Sequence, residues 1–264
     1  MKSFFKREKS NSKIQRNQKL RKKPKGASLE FGFLDGVLTG LLCRNETLGL
    51  LQVGANDGVT VDPVRDFLTR NRGKVGAVLV EPLPDVFEIL SRNYKDQPRI
   101  RLLNAAVGLD GPLTLYRIRK EYNDKYSGII ATGITSVDRE FVLRKSKHLV
   151  GIESVPLEDR IEPVVAPGYT VTQIILENED LIGRSPFLQV DAEGFDDEVI
   201  RSIDFTKIRP IAISFEISNL GDERRTRLHE LLTKQGYTIF SWSDDEELAL
   251  SAQSYGVPVN EQEA

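Results

Sequence analysis

The chain has 264 residues, 39% of them apolar and 29% charged, with a formal net charge of −2 and one cysteine. That length suits one sizeable α/β domain with appendages. A lone cysteine excludes an internal disulfide and favours a reducing compartment, and no run approaches the roughly 20 apolar residues that span a bilayer. No signal-peptide core follows the N-terminus, so a cytoplasmic protein is expected. Cys43 reads as a small buried residue rather than a reactive thiol.

The small net charge hides an asymmetry. Residues 1–25 hold eleven Lys or Arg against Glu8 alone, a charge of +10 that leaves −12 for the remainder. With little apolar surface to bury, residues 1–28 are expected to form a disordered basic tail, and 29–252 the folded domain. The tail suits a solubilising arm, an anionic membrane surface or an acidic partner. Phe4 and Phe5 tilt the binding options toward a membrane surface. Nucleic acid is the weakest option, since no aromatic-flanked element for a flipped base is present.

Leu29 to Leu42 repeats apolar residues at helical intervals between Gly32, Gly36 and Gly40, and is expected to give one or two short helices closing over a ligand. Leu50, Leu51 and Val53 form a first buried strand, which breaks into Gly54-Ala-Asn-Asp-Gly58. Glycine there permits positive φ and lets a ligand approach the backbone. A helix is expected to continue from Val59 to Arg70, with its first N–H groups facing the strand end. The spacing G-x-N-x-G lacks the third glycine of a dinucleotide fingerprint and the G-K-[ST] of a triphosphate loop. It suits a smaller ligand end carrying its own amine and carboxylate, or else a plain Asn-Asp-Gly turn.

Val75–Val80 is the second strand, stopped by Glu81-Pro82. Glu81 therefore stands at the carboxyl edge, where a carboxylate accepts from ribose hydroxyls; otherwise it is a polar strand end. Pro84 and Asp85 open a helix whose Leu83, Val86, Phe87 and Leu90 share one face. Ile100–Leu103 is a third strand, followed by Asn104-Ala-Ala-Val-Gly108, small residues that suit the edge of a flat ring or a simple loop.

Leu113–Ile118 alternates as a half-buried strand. Residues 119–150 then leave the α/β rhythm, with Tyr122, Tyr126, Ser136 and His148 in a polar, glycine-punctuated setting that reads as a lid over an acceptor. Val171–Leu176 is a strand or the start of a helix. Pro186–Val190 is a fourth core strand ending in Asp191-Ala-Glu193-Gly194, and a helix follows from Phe195 with acids in its first turn. Pro210–Phe215 is the fifth, ending at Glu216. Asp222–Gln235 is an amphipathic helix capped by Gly236, and Tyr237–Trp242 with Leu248–Ser251 forms a hairpin. Residues 253–264 read as a frayed tail. Together these describe an α/β three-layer sandwich, mostly parallel, with a terminal antiparallel hairpin.

Val53-Gly-Ala-Asn-Asp-Gly58, Glu81-Pro82, Asn104-Ala-Ala-Val-Gly108, Val190-Asp-Ala-Glu-Gly194 and Pro210–Glu216 occur in the order of the FkbM-type methyltransferases, which residues 48–240 resemble. Gly133–Ser136 with Asp138-Arg139 also looks like a serine-rich element of some members. Thr172-Gln-Ile stands where members often carry Thr-Leu-Asp. The resemblance implies the class I methyltransferase (Rossmann-like) fold, S-adenosylmethionine as cofactor, and methylation of a hydroxyl on a carbohydrate or other small molecule. It implies cofactor contacts at Gly54, Ala55, Asn56, Gly58, Glu81, Asn104, Ala105 and Asp191, and acceptor contacts at Tyr126, Ser136 and Glu216. Asp191 and Glu193 are expected to hold the cofactor amine or the acceptor and to take its proton, rather than merely to complement a helix dipole. His148 is the competing base, its alternative being a surface histidine; His229 reads as packing. Asp191 with Glu193 also offers oxygens to Mg²⁺, a second choice because no third ligand is evident nearby.

Overall fold

The computed structural model describes residues 27–123, 133–149 and 151–255. In chain order the strands are β1 (Leu48–Val53), β2 (Val75–Val80), β3 (Ile100–Leu103), β4 (Ala106–Val107), β5 (Leu113–Ile118) and β6 (Thr135–Ser136). Then come β7 (Ile161–Ala166), β8 (Gly168–Tyr169), β9 (Phe187–Val190), β10 (Ala212–Glu216), β11 (Tyr237–Ser241) and β12 (Glu246–Ser251). The helices are α1 (Ala27–Arg44), α2 (Arg65–Arg70), α3 (Pro84–Tyr94), α4 (Lys120–Asn123) and α5 (Arg139–Ser146). They continue as α6 (Val171–Glu177), α7 (Glu179–Ile182), α8 (Asp196–Arg201) and α9 (Asp222–Lys234).

Seven strands form the central sheet in the order β11-β12-β10-β9-β1-β2-β3. Strands β10, β9, β1, β2 and β3 run parallel, and β12 and β11 join antiparallel at one edge. Both faces of β1 and β2 are covered, which explains their near-continuous apolar runs. One face packs Leu51, Val53, Val78 and Val80 against α6 and α8, and the other packs Leu50, Ala77 and Leu79 against α1 and α3. From β1 the strand order runs outward one way through β2 and β3 and the other way through β9 and β10, so the carboxyl ends of β1 and β9 frame a crevice at the switch point.

Beside this sheet stands an annex. Strands β6, β5 and β7 form an antiparallel sheet, and α5 closes over it on Ile118, Phe141, Val142, Leu143 and Ile161. The short parallel pair β4–β8 forms its neck. Arg117 of β5, buried, donates to Asp85 of α3 at 2.5 Å and fastens the annex to the main body.

Several expectations change. The segment from Leu29 is one helix, α1, whose Leu34, Leu38 and Leu41 bury against the sheet; it stands away from the crevice because its apolar stripe is needed there. Helix α2 begins only at Arg65. Before it, Asp57 Oδ1 accepts from the N–H groups of Val59 and Thr60 (2.8 and 2.7 Å), and Asp62 Oδ1 from Val64 and Arg65 (2.9 and 3.1 Å). These local side-chain bonds compete with the helix and hold the stretch as a loop. Val171 starts a helix, fixed by a capping box between Thr170 and Gln173. Thr172 ties α6 to the end of α8, donating to Ser202 O (3.2 Å) and accepting from Asp204 N–H (2.7 Å). Cys43 is exposed. Order continues past residue 252, where Ser254 Oγ donates to Ile211 O at 2.5 Å. The proposed lid is in part a folded unit, β6 with α5, while Tyr126 and residues 1–26 and 256–264 lie outside the described residues.

Candidate active site

A cavity of about 240 Å³ opens over the carboxyl ends of β1, β2 and β9. Its first wall is the turn after β1, where the N–H groups of Gly54 and Ala55 both donate to Val80 O (3.0 and 2.9 Å). Gly54 has φ +80°, and a Cβ there would lie 1.9 Å from Asp191 O, so only glycine lets this turn meet the end of β9. The Asn56 N–H donates to Glu81 Oε2 (3.0 Å), while Glu81 Oε1 accepts from Leu83 N–H (2.9 Å). Glu81 thus clamps the turn to the end of β2. Burial raises its carboxyl to about 7, against the pull of those two N–H groups and Arg117.

Two expected cofactor residues stand outside the wall. Gly58, at φ +66°, packs where a Cβ would meet the Tyr94 ring at 2.4 Å and Leu90 at 2.5 Å, so it seats the turn on α3. The Asn104 amide donates to the carbonyls of Glu81 and Pro82 (2.8 and 3.1 Å), fixing the backbone that carries Glu81. Ala105 does line the cavity, with Ala106 and Val107 beside it.

The opposite wall is the end of β9. Asp191 is accessible from the cavity yet walled by protein, and this desolvation together with the Glu216 charge raises it to about 7. Glu193 is raised to about 9, by burial first and then by Asp191 and Glu216, with Lys145 opposing. Asp196, fully buried beneath them, is pushed well above the carboxylate range by burial and the same neighbours. Such close acids titrate as a set and share protons near neutrality. Glu216 does not face the cavity: it accepts from Ser218 Oγ and from Asn219 Nδ2 (2.9 Å). The same Asn219 amide reaches Glu193 Oε2 at 3.4 Å.

Ser136 is buried, and its hydroxyl donates to Glu193 O (2.9 Å), so it holds the turn from behind. His148 lies in a separate groove with Lys145 and Asn219. His229 meets Glu247 at 2.5 Å and lines neither the cavity nor that groove.

The sequence reading missed Gln52, Gln189 and Asp62, all in the cavity wall. Gln52 and Gln189 are only 2% and 4% exposed, pair in register across β1 and β9, and each keeps an Oε1 without a partner among the described residues. A signal was present: Leu-Gln-Val occurs at 51–53 and again at 188–190, one polar residue in each apolar strand. Three described non-glycine residues have positive φ, Asn56 (48°), Val61 (57°) and Glu193 (47°), and all three line the cavity. For the β-branched Val61 this is an outlier of the kind that collects at ligand sites.

The described wall carries Asp62, Glu81, Asp191 and Glu193 and no Lys, Arg or His. An apolar side of Ala105, Leu113, Leu115 and Phe195 faces them. Acids with no basic residue in the lining around them, beside a flat apolar side, suit a cationic ligand with a ring. Among the described residues no three His, Cys, Asp or Glu side chains are placed to hold a metal ion, so Asp191 and Glu193 gain no third ligand for Mg²⁺.

Strand order, switch-point cavity and acidic strand ends together define a class I S-adenosylmethionine-dependent methyltransferase. Residues 52–239 match the methyltransferase FkbM domain, and the chain belongs to this family. No curated protein matches the chain. Among solved structures, the METTL16 methyltransferase domain is similar at 12% identity, covering 84% of this chain and 67% of that one, with a TM-score of 0.44. Fibrillarin of Aeropyrum pernix with bound S-adenosyl-L-methionine has 13% identity, 84% and 73% coverage and a TM-score of 0.39. The N-methyltransferase NodS of Bradyrhizobium japonicum has 9% identity, 84% and 94% coverage and a TM-score of 0.37. No described helix is long and apolar enough to cross a membrane.

Proposed function

We propose that this methyltransferase acts on oxygen, methylating a hydroxyl of a carbohydrate or other small-molecule acceptor. The observation that carries the reading is the adjacency of Asp191 and Glu193, both raised, in a wall without any cation, whereas the other lining acids, Glu81 and Asp62, accept from backbone N–H groups. When bound, S-adenosylmethionine supplies the methyl group from a sulfonium, which becomes a thioether. Glu81 would hold the ribose hydroxyls through its remaining lone pairs, and Ala105–Val107 with Phe195 would flank the adenine. Asp191 would face the ammonium.

Glu193 takes the acceptor's hydroxyl proton as the C–O bond forms, and Asp191 orients the acceptor beside it. A carboxyl raised above its ordinary range, as Glu193 is, is a stronger base than an ordinary one once ionised. Positive charge brought into the cavity favours that ionisation. Orientation itself contributes on the order of 7–11 kcal/mol in such reactions. The basic residues of the N-terminal tail we assign to an anionic membrane surface or an acidic partner, on charge alone.

The test is transfer of a labelled methyl group to a cell extract, separated into glycans, small molecules and nucleic acid, with the linkage read by NMR. An O-methyl ether in the first two fractions is expected. A C-methyl or N-methyl product would overturn the reading.

A further inference from the structure

Beside the cavity runs a second depression of about 480 Å³, between α5 and the loop after β10. Arg144, Lys145 and His148 line one side, and Ser218, Asn219 and Leu220 the other. All three basic residues are exposed, and none forms an ion pair among the described residues; Lys145 lies over the Phe141 ring at 5.2 Å to its centroid. Ser218 and Asn219 turn their donors inward, onto Glu216 and Glu193. Gly194 and Asn219 are in contact range, since a Cβ on Gly194 would lie 3.4 Å from Asn219 Cβ. The groove and the cavity thus share one partition, Glu193-Gly194 against Asn219.

We infer that the groove is the acceptor's anchoring subsite and takes an oxyanion, so that the acceptor is a phosphorylated or carboxylated hydroxyl compound. The inference rests on the methyl-transfer reading for the neighbouring cavity. Charge sorting supports it: the cavity wall has acids and no cation, whereas the groove has cations and no acid. A molecule spanning the partition meets carboxylates at its reacting hydroxyl and positive charge at its other end. Asn219, which lines the groove with Lys145, reaches Glu193 Oε2 at 3.4 Å, so an anion seated in the groove lies across one side chain from the reacting centre. Arg144 offers a planar fork suited to phosphate or carboxylate, and Lys145 a point charge.

The chain has two histidines, and they make an internal comparison. In the full-length protein, the His148 ring resonances should shift on titration with inorganic pyrophosphate or with glucuronate, while glucose leaves them unmoved. His229, bonded to Glu247, should stay still with all three. A stronger response to pyrophosphate marks phosphate as the natural group, and a stronger response to glucuronate marks carboxylate. R144E and K145E should each abolish the shift. Equal movement of both histidines, no movement, or a response that survives both reversals overturns the inference.

In the labelled extract, the methylated product should bind an anion exchanger. With the unmethylated precursor of that product as substrate, R144E should raise KM about tenfold, equivalent to roughly 1.4 kcal/mol, with the smaller effect on kcat, whereas K145E should change both because Lys145 also acts on Glu193. A labelled product that elutes as neutral overturns the anionic subsite and leaves the transferase reading intact. Absence of any labelled product counts against the transferase reading, and the histidine titration then decides the groove.

Discussion

Strands β1 and β2 are buried along nearly their whole length, whereas β7 in the annex is buried at Ile161 and Ala166 and open between them. The first pair is held by helices on both faces, the second by α5 on one face and a small cluster of its own. Packing that covers both faces over-determines the backbone at the strand ends. That is where the sheet tolerates positive φ at Asn56 and Glu193 and desolvated acids at Glu81 and Asp191. The annex carries no comparable strain among its described residues. Its contribution is charge and shape at the edge of the site. On the proposed reading, methyl-transfer chemistry belongs to the sheet and acceptor choice to the annex.

The largest effect should come from separating those two roles by mutation. Glu193→Gln keeps the side chain's size and removes its basicity, so kcat should fall by about 10²–10⁴-fold with cofactor affinity nearly unchanged in calorimetry. Asp191→Asn should lower both, and His148→Ala should be milder than either. An essential His148 with an active Glu193→Gln would move proton transfer into the annex and dissolve the comparison.

Next is Gly54→Ala. The added methyl would lie 1.9 Å from the Asp191 carbonyl at φ +80°, so the β1 turn and the β9 end must part. A loss of at least about 1–3 kcal/mol in urea unfolding is expected from the backbone strain alone. Gly73→Ala, with nothing within 4 Å of its Cβ, is the control and should be near neutral.

Glu81→Ala should weaken S-adenosylmethionine binding by about 1.5–3 kcal/mol, the range for a lost charged hydrogen-bond partner. Unchanged affinity in calorimetry would leave Glu81 as a clamp of the turn only.

A smaller effect distinguishes the regions by pH. Glu81 and Asp191 are raised from 4.5 and 3.8 to about 7, so the folded chain keeps protons that the unfolded chain releases. Their contribution is full below the unfolded values and is lost as pH rises through about 7, with Glu193 extending the loss toward about 9. Urea midpoints of the ligand-free protein should therefore be higher at pH 6 than at pH 8, with a shallower slope in Asp191→Asn. At the annex the sign reverses. Burial raises Asp85, but the Arg117 hydrogen bond and charge, with Lys120, outweigh it and leave the carboxyl below its usual range. That tie contributes above the unfolded value and is lost as pH falls through the folded one. Amide exchange in the annex should accelerate first in acid.

The smallest effect on the domain should come from deleting residues 1–25. Turnover of a soluble acceptor should persist, while adhesion to anionic vesicles, screened by salt as the Debye length falls from about 10 Å at 0.1 M to about 3 Å at 1 M, should vanish.

Much of the sheet was legible because buried parallel strands write themselves as apolar runs ended by glycine, proline or an acid. Leu50–Gly54, Val75–Glu81 and Pro186–Asp191 all followed that rule, and Glu81, Asp191 and Glu193 could be placed at a shared edge. The annex was harder. Strand β5 showed its own alternation, but its antiparallel partner β7 lies more than forty residues on in the chain, from Ile118 to Ile161, and nothing local in the sequence names that partner. Gly58 and Asn104 were legible as special, and the structure places them behind the cavity wall rather than in it; a glycine that spares a clash with α3 looks the same in sequence as one that admits a ligand. Residues 59–64 were expected to be helical, although Val59-Thr-Val61 is β-branched and Pro63 disfavours the α region at Asp62; the Asp57 and Asp62 bonds complete that stop and hold a loop.

The hydroxyl of Ser136 has a consequence for anyone who would transplant specificity between relatives. It is the annex's bond to the carbonyl of Glu193, whose backbone sits in the left-handed region. A donor annex grafted at the β4–β8 neck must therefore bring a hydroxyl to that spot. A graft with alanine there would change the acceptor and slow the reaction together, and the two losses would be mistaken for one.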